Sequence, residues 1–405
     1  MKRLLKWSAA VVALLLVALA ALPFLIDANR FRPLLEQQLS QSLGRKVTIG
    51  DLSLAVLSGG VAASDLSIAE DPAFGSRPFL SAKSVKIGVD LRALIFSRQL
   101  KVQDVTVNGA DVALQQNPEG AWNFSSLGAT KSTAAAAPVP PPVSPEAPLS
   151  LTVGLVRIQD ARITLSATDG STEARGFKDV NFELRNFSTS TAMPFSLQAA
   201  STGGGTLKLT GNAGPLASAK TEQTPFDAQI DISKLDLAKS GFTSPASGLA
   251  GLLTFKGSAN SNGATAAIKG ALILDDLRLS KTGKPAPRPV ALNIALVHDL
   301  NKRRGEVARS IVKLGSASAT LTGSYNLAAD PPSIDAKLSG PNMPLTELAA
   351  FLPMFDIVLP AGATISSGTA SLDVTSKGSF VRLNTVGSVK LEKAQLANYD
   401  LGSKL

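Results

Sequence analysis

His298 is the only histidine in the chain, so a Ser-His-Asp triad for acyl transfer would have to run through it. The His298-Asp299 pair is read here as part of a polar loop continuing to Arg304, not as a base with its orienting carboxylate. Carboxylates for acid–base work occur mostly singly; Asp275-Asp276 is adjacent, but its side chains fall on opposite strand faces or in a turn. Gly203-Gly204-Gly205 would cradle a phosphate only if a helix followed; Thr206 and strand-like sequence follow instead, which reads as a hairpin turn. Neither a Gly-x-x-x-x-Gly-Lys-Ser/Thr loop nor a Gly-x-Ser-x-Gly elbow is present. There is no cysteine, hence no disulfide framework and no thiolate zinc site. The expectation is a protein that is not an enzyme, with no catalytic residue, metal or cofactor.

Charge points the same way. Lys and Arg number 40 against 31 Asp and Glu, a net +9 scattered mostly as single residues. The denser groups are Lys302-Arg303-Arg304 and the set Arg30, Arg32, Arg45 and Lys46, the latter read as membrane-proximal residues that touch anionic headgroups. Aromatic residues make up only 5% of the chain, too few for base-stacking platforms, so no nucleic-acid partner is expected.

The elements that position these residues begin with an apolar run, Leu4 to Ile26, broken only by Lys6. About 20 helical residues span a bilayer core, so residues 1–26 are read as a transmembrane anchor. A signal peptide cut after Ala18-Leu19-Ala20 is the competing reading. Lys2, Arg3 and Lys6 place the amino terminus in the cytoplasm and the bulk of the chain outside it. A short amphipathic helix follows, with Phe31, Leu34, Leu35, Leu39 and Leu43 on one face, Asn29 as N-cap, Pro33 in the first turn and Gly44 as stop. It is expected to pack on the sheet or to cover a sheet end.

From Val47 onward apolar residues recur with period two, separated by Gly, Asn, Asp, Ser and Pro. Short helices are expected only at Asp90 to Phe96 and Pro344 to Phe351. Leu100 to Leu114 matches Leu151 to Leu165 without gaps, and each copy reads as strand, tight turn (Asn-Gly-Ala or Gln-Asp-Ala), strand. A weaker echo pairs Gly270, Leu272, Leu274 and Leu279 with Gly387, Val389, Leu391 and Leu396. Ala129 to Pro148 is Ala/Pro-rich and is read as a surface loop or linker. The fold class is therefore mainly β: an extended, curved antiparallel sheet of repeated hairpins, groove-like, with a transmembrane helix and a short amphipathic helix at its start. The organisation is anchor 1–26, helix and first β repeats 27–128, loop or linker 129–148, and hairpin groove 149–405.

Several segments in order resemble the AsmA family of bacterial envelope proteins. These are the membrane run and helix, the junction Gly44-Arg45-Lys46-Val47-Thr48-Ile49, the stretch Phe79 to Leu91 before Leu94-Ile95-Phe96, and Asn117-Pro118-Glu119-Gly120-Ala121-Trp122-Asn123-Phe124. The last is the most specific, and its turn is expected to be pinned by burying Trp122 and Phe124. Asn398-Tyr399-Asp400-Leu401-Gly402 also looks like family sequence. The resemblance, in turn similar to bridge-like lipid transfer proteins, implies an inner-membrane-anchored, single-pass periplasmic protein in lipid transport or outer-membrane homeostasis. Family members are often longer, so this chain is read as a fragment or a short member.

A one-faced apolar sheet with few helices to cover it needs an apolar guest, and phospholipid acyl chains suit it at about 0.8 kcal/mol per buried methylene. The lining candidates are Val85, Ile87, Val89, Val105, Val107, Val112, Leu114, Val153, Ile158, Ile163 and Leu165. The expected partners are membrane phospholipids and other envelope proteins. The alternative is a structural or chaperone-like envelope protein, acting on outer-membrane protein assembly through edge pairing.

Overall fold

The period-two segments form eighteen strands in a computed structural model that describes residues 27–55, 59–90, 102–127, 153–168, 175–217, 223–241, 243, 248–359, 363–379 and 382–398. The apolar run 4–26, the loop at 129–148 and nearly all of the helix expected at 90–96 lie outside the described residues. Among the described residues no helix is long and apolar enough to cross a membrane. The chain divides into two compact units between Thr189 and Ser190.

In the first unit a 3-10 turn (Ala28–Phe31) leads into helix α1 (Arg32–Leu43). Strands β1 (Val47–Thr48), β2 (Leu52–Ala55), β3 (Gly60–Ile68), β4 (Leu80–Val89), β5 (Val102–Gln116), β6 (Val153–Ala167) and β7 (Arg175–Phe187) follow. Both β1 and β2 pair with β3, and the ladders then run β3-β4-β5-β6-β7.

Two expectations are corrected here. The sheet is mixed, because β5 and β6 pair in parallel, from Val102 opposite Val153 to Gln116 opposite Ala167. Residues 117–152 are long enough for the crossover that a parallel pair requires. The two repeat copies are also not hairpins. Each is one continuous strand, and the supposed turns are bulges with Gly109 (φ 58°) and Asp160 (φ 51°) in the left-handed region.

Helix α1 inverts its expected orientation. Its polar side faces the sheet: the backbone N–H groups of Val47, Ile49 and Leu52 donate to Ser40 Oγ, Glu36 Oε1 and Asn29 Oδ1 at 2.8, 2.7 and 2.8 Å. Phe31, Leu34 and Leu39 are exposed, Leu35 and Leu43 are half-buried, and no residue of the helix is buried. The sheet edge offers N–H groups at Val47, Ile49 and Leu52, so acceptors dock there. Asn29 is spent on that contact, and Asp27 caps the 3-10 turn instead. Gly44 ends the helix at φ 66°, as expected.

The second unit holds β8 (Met193–Ser201), β9 (Thr206–Ala213), β10 (Phe226–Asp236), β11 (Ala250–Ser261), β12 (Thr265–Arg278), β13 (Val290–Asp299), β14 (Arg304–Leu314), β15 (Ala317–Asn326), β16 (Ser333–Pro344), β17 (Thr364–Ser379) and β18 (Arg382–Ala397). Every pairing is antiparallel between sequence neighbours. Among the described residues no ladder joins β8 to β18, so this sheet is not closed. Gly203-Gly204-Gly205 forms the β8–β9 hairpin turn. Helix α2 (Leu345–Phe351) and a 3-10 turn (Leu352–Phe355) supply the packed core with Leu277, Ala286 and Val290.

Candidate functional site

Residues opposite one another in a ladder share a face, so register decides which side chains meet. In the first unit Val85 faces Val107, which faces Ile158, which faces Phe182. The next row is Ile87, Val105, Val156 and Leu184. Beyond the bulges come Leu80, Val112, Ile163 and Phe177, then Leu114 with Leu165. Val89 faces Val102, which faces Val153. The eleven lining candidates thus fall into cross-strand rows. Val61, Ala63, Leu66 and Ile68 of β3, and Val156, Phe177, Val180, Phe182 and Leu184, extend these rows beyond the candidates.

The rows survive because the bulges are aligned. Asp65, Gly109, Asp160 and Asp179 all have φ between 48° and 58°, each two residues after an apolar position. The apolar spacing runs two, three, two in β3, β5 and β6, and three, two, two in β7, so one extra residue re-aims the chain without flipping its oily side. Directly after the bulges lie Ala110, Ala161 and Val180, all buried.

The second unit carries the same construction across more strands. One row runs Ala199, Leu207, Ile232, Phe255, Leu272, Leu292, Val312 and Ala319, through eight strands from β8 to β15. Another continues Leu321, Leu338, Val374 and Gly387 into β18. Leu272, Leu321, Leu338 and Val374 are only half-buried, while Leu292 and Val312, also half-buried, pack against the cluster of Phe351 and Met354. Gly257 and Gly270 sit opposite each other under the Phe255 ring; a Cβ at either would come within 2.6 Å of it.

The ends of this face are marked differently. At one end Phe351 and Met354 pack on Leu277, Ala286 and Val290, with Leu274, Leu292, Val312 and Leu314 against them. Arg288 Nη1 holds both Glu347 oxygens there, at 3.0 and 2.8 Å, and Thr282 Oγ1 donates to Asp356 Oδ2 at 2.9 Å. At the other end His298 stacks on Tyr325, centroids 5.6 Å apart, across Gly305, with Nδ1 and Oη 3.0 Å apart. Burial raises the Tyr325 pKa. His298 is therefore in β13 rather than in a loop. Asp299 turns to the Asn301 and Lys302 N–H groups, and the Lys302 contact holds its carboxyl below the usual range. Asp276 is a left-handed bulge residue in β12. The outward face pairs charges, including Lys337 with Asp373 and Lys377 with Asp335, each at 2.9 Å.

The densest polar cluster lies in the first unit. Arg45, expected at the membrane surface, is instead buried, its Nη1 3.0 Å from Glu70 Oε1. Its Nη2 donates to the Asn123 carbonyl and, at 2.9 Å, to Ser126 Oγ, and the guanidinium lies 5.2 Å from the Phe79 ring centroid. Asn123 is 0% exposed; Nδ2 donates to Glu70 Oε2 and the Ala113 carbonyl, and Oδ1 accepts from the Gln115 N–H. The aromatic neighbours expected to be buried are not: Phe124 is 43% exposed and Trp122 half-buried, the two rings stacked 5.7 Å apart. Of the basic set, Arg30 and Lys46 are exposed and Arg32 pairs with Glu36 at 3.2 Å.

Among the described residues no three potential metal ligands cluster. Two concavities carry charged residues: one at strand ends near Asp299, Lys302, Arg304 and Lys377, another along the bulge row near Asp65, Lys83, Asp160 and Arg162. The apolar rows form a broad face across the strands. Its chemistry is the exclusion of water from hydrocarbon. A model of the AsmA family matches residues 1–386. No curated protein and no solved structure matches the chain.

Proposed function

The chain belongs to the AsmA family, and from that premise we propose that it is a membrane-anchored envelope protein that shields lipid acyl chains on the apolar faces of its sheets, in support of phospholipid transport or outer-membrane homeostasis. The observation that carries this reading is the continuous apolar row from Ala199 to Ala319, with no second sheet over it among the described residues. Acyl chains laid on it remove methylenes from water at about 0.8 kcal/mol each, while headgroups stay at the charged strand ends. No bond is made or broken, so the reading needs no catalytic residue. The apolar run 4–26 serves as a single-pass inner-membrane tether, and the bulk of the chain lies in the periplasm.

A photo-crosslinking amino acid placed in the full-length protein in membranes tests this. Positions Leu321 and Leu338 point to the apolar face, while Thr322 and Lys337 point to the other. Phospholipid adducts are expected at the first two and not at the second two. Equal labelling at all four, or none at Leu321 and Leu338, rejects the proposal.

One observation favours the second reading. Strand β18 pairs with β17 alone in the described ladders, and fifteen of its sixteen residues are exposed. Such an edge suits strand addition by another chain, as a chaperone-like role in outer-membrane protein assembly requires.

A further inference from the structure

We propose that the outward side of α1 is seated in the bilayer surface, so that this helix lies along the membrane and carries the first sheet edge at lipid level. The proposal rests on the anchoring reading above. Three observations point to a lipid surface as the occupant.

The first is direction. A surface helix turns its apolar side to the protein and its polar side to water. Here Asn29, Glu36 and Ser40 are bound to the sheet edge, and the oily residues are left outside, Phe31 57%, Leu34 53% and Leu39 40% exposed. The second is continuity. The apolar run ends at Ile26, only five residues before Phe31, which keeps the helix start close to where that run leaves the bilayer. The third is taper. The exposed residues begin with Phe31 and Leu34, pass through Leu39 and end with Gln41 and Ser42, and the Arg30 side chain, 84% exposed, stands at the apolar end. An apolar first turn beside an exposed cation, paired only at the surface with Asp27 at 3.9 Å, fits the acyl–headgroup boundary of an anionic bilayer, and the polar last turns fit water.

The chain has no cysteine, which makes site-specific labelling direct. Full-length Phe31→Cys, Leu34→Cys and Gln41→Cys variants, each carrying an environment-sensitive dye, are reconstituted into vesicles of phosphatidylcholine and phosphatidylglycerol. Flotation reports attachment; nitroxide-labelled lipid and aqueous iodide report depth. The expected result is that all three float, that dye at 31 and 34 is blue-shifted and quenched severalfold by the lipid nitroxide, and that dye at 41 is quenched by iodide alone. Floating variants with 31 and 34 open to iodide and untouched by the nitroxide overturn this inference and leave the anchor standing. A blue shift at 31 and 34 that ignores the nitroxide and fades on dilution assigns the face to a second copy of the chain, and also overturns it. Failure to float overturns the anchor and this inference together.

Discussion

Asn123 shows how far single residues could be read. The turn ending in Trp-Asn-Phe was legible as a fastening point, but aromatic size suggested that Trp122 and Phe124 were the buried members. Burial went to the amide between them, because Asn123 can satisfy two acceptors and one backbone donor at once, among them Glu70 Oε2 and the Gln115 N–H. Arg45 was misplaced for a related reason. A basic residue near a membrane run suggests headgroups, and only the fold reveals that Glu70, twenty-five residues on, closes over it. This pair is fully enclosed, so removing one partner leaves an uncompensated charge. Arg45→Ala is expected to lose about 3–5 kcal/mol of stability, measured as a lower urea midpoint. Replacing both partners, as in Arg45→Met with Glu70→Leu, is expected to recover much of that loss. A double variant no more stable than Arg45→Ala would show that the cost lies elsewhere.

At the scale of elements, period two located the strands but not their bulges. A left-handed residue serves a tight turn and a bulge equally well, so Asn108-Gly109 and Gln159-Asp160 carry the same local signal for either. Partner length decides: β4 and β7 pair along both sides of the bulge, which holds each copy straight through as one strand. The signal that was available is spacing, since Val107 to Ala110 and Ile158 to Ala161 step by three between runs that step by two. The orientation of α1 was readable in the same way. Asn29, Glu36 and Ser40 stand at i, i+7 and i+11, one stripe of acceptors. The Ile49 N–H bond is the main reason that the Glu36 pKa is lowered, with Arg32 adding to it. A carboxyl lowered on folding stabilises the attached helix above its unfolded pKa of about 4.3, and that contribution fades as pH falls through the lower folded value. Amide exchange at Ile49, corrected for intrinsic rate, is therefore expected to accelerate in acid below that range. In Glu36→Gln the pH dependence is expected to flatten; an unchanged profile would remove Glu36 as the cause.

For the molecule as a whole, the mainly β class and the one-sided apolar pattern were legible, because alternation is a direct consequence of strand geometry. The parallel seam was not, since antiparallel and parallel strands share that alternation, and only the long stretch 117–152 hinted at a crossover. The packed end at Phe351 and Met354 was legible only as a short helix, not as a cover. Val107 and Ile158 occupy one row of the first unit, half-buried and facing each other. Val107→Asp and Ile158→Asp are each expected to reduce phospholipid recovery from the purified full-length protein, by mass spectrometry, while circular dichroism stays unchanged. Undiminished lipid in two folded variants would remove that row from the lining. The seam between β5 and β6 has a consequence of its own. A segment lying beside its duplicate, in the same direction and at the same height, meets its own kind at the apolar levels: valine beside valine or isoleucine, leucine beside leucine. Copying alone thus produces a fitted neighbour, and such a sheet can widen by gene duplication without waiting for new side chains to be matched.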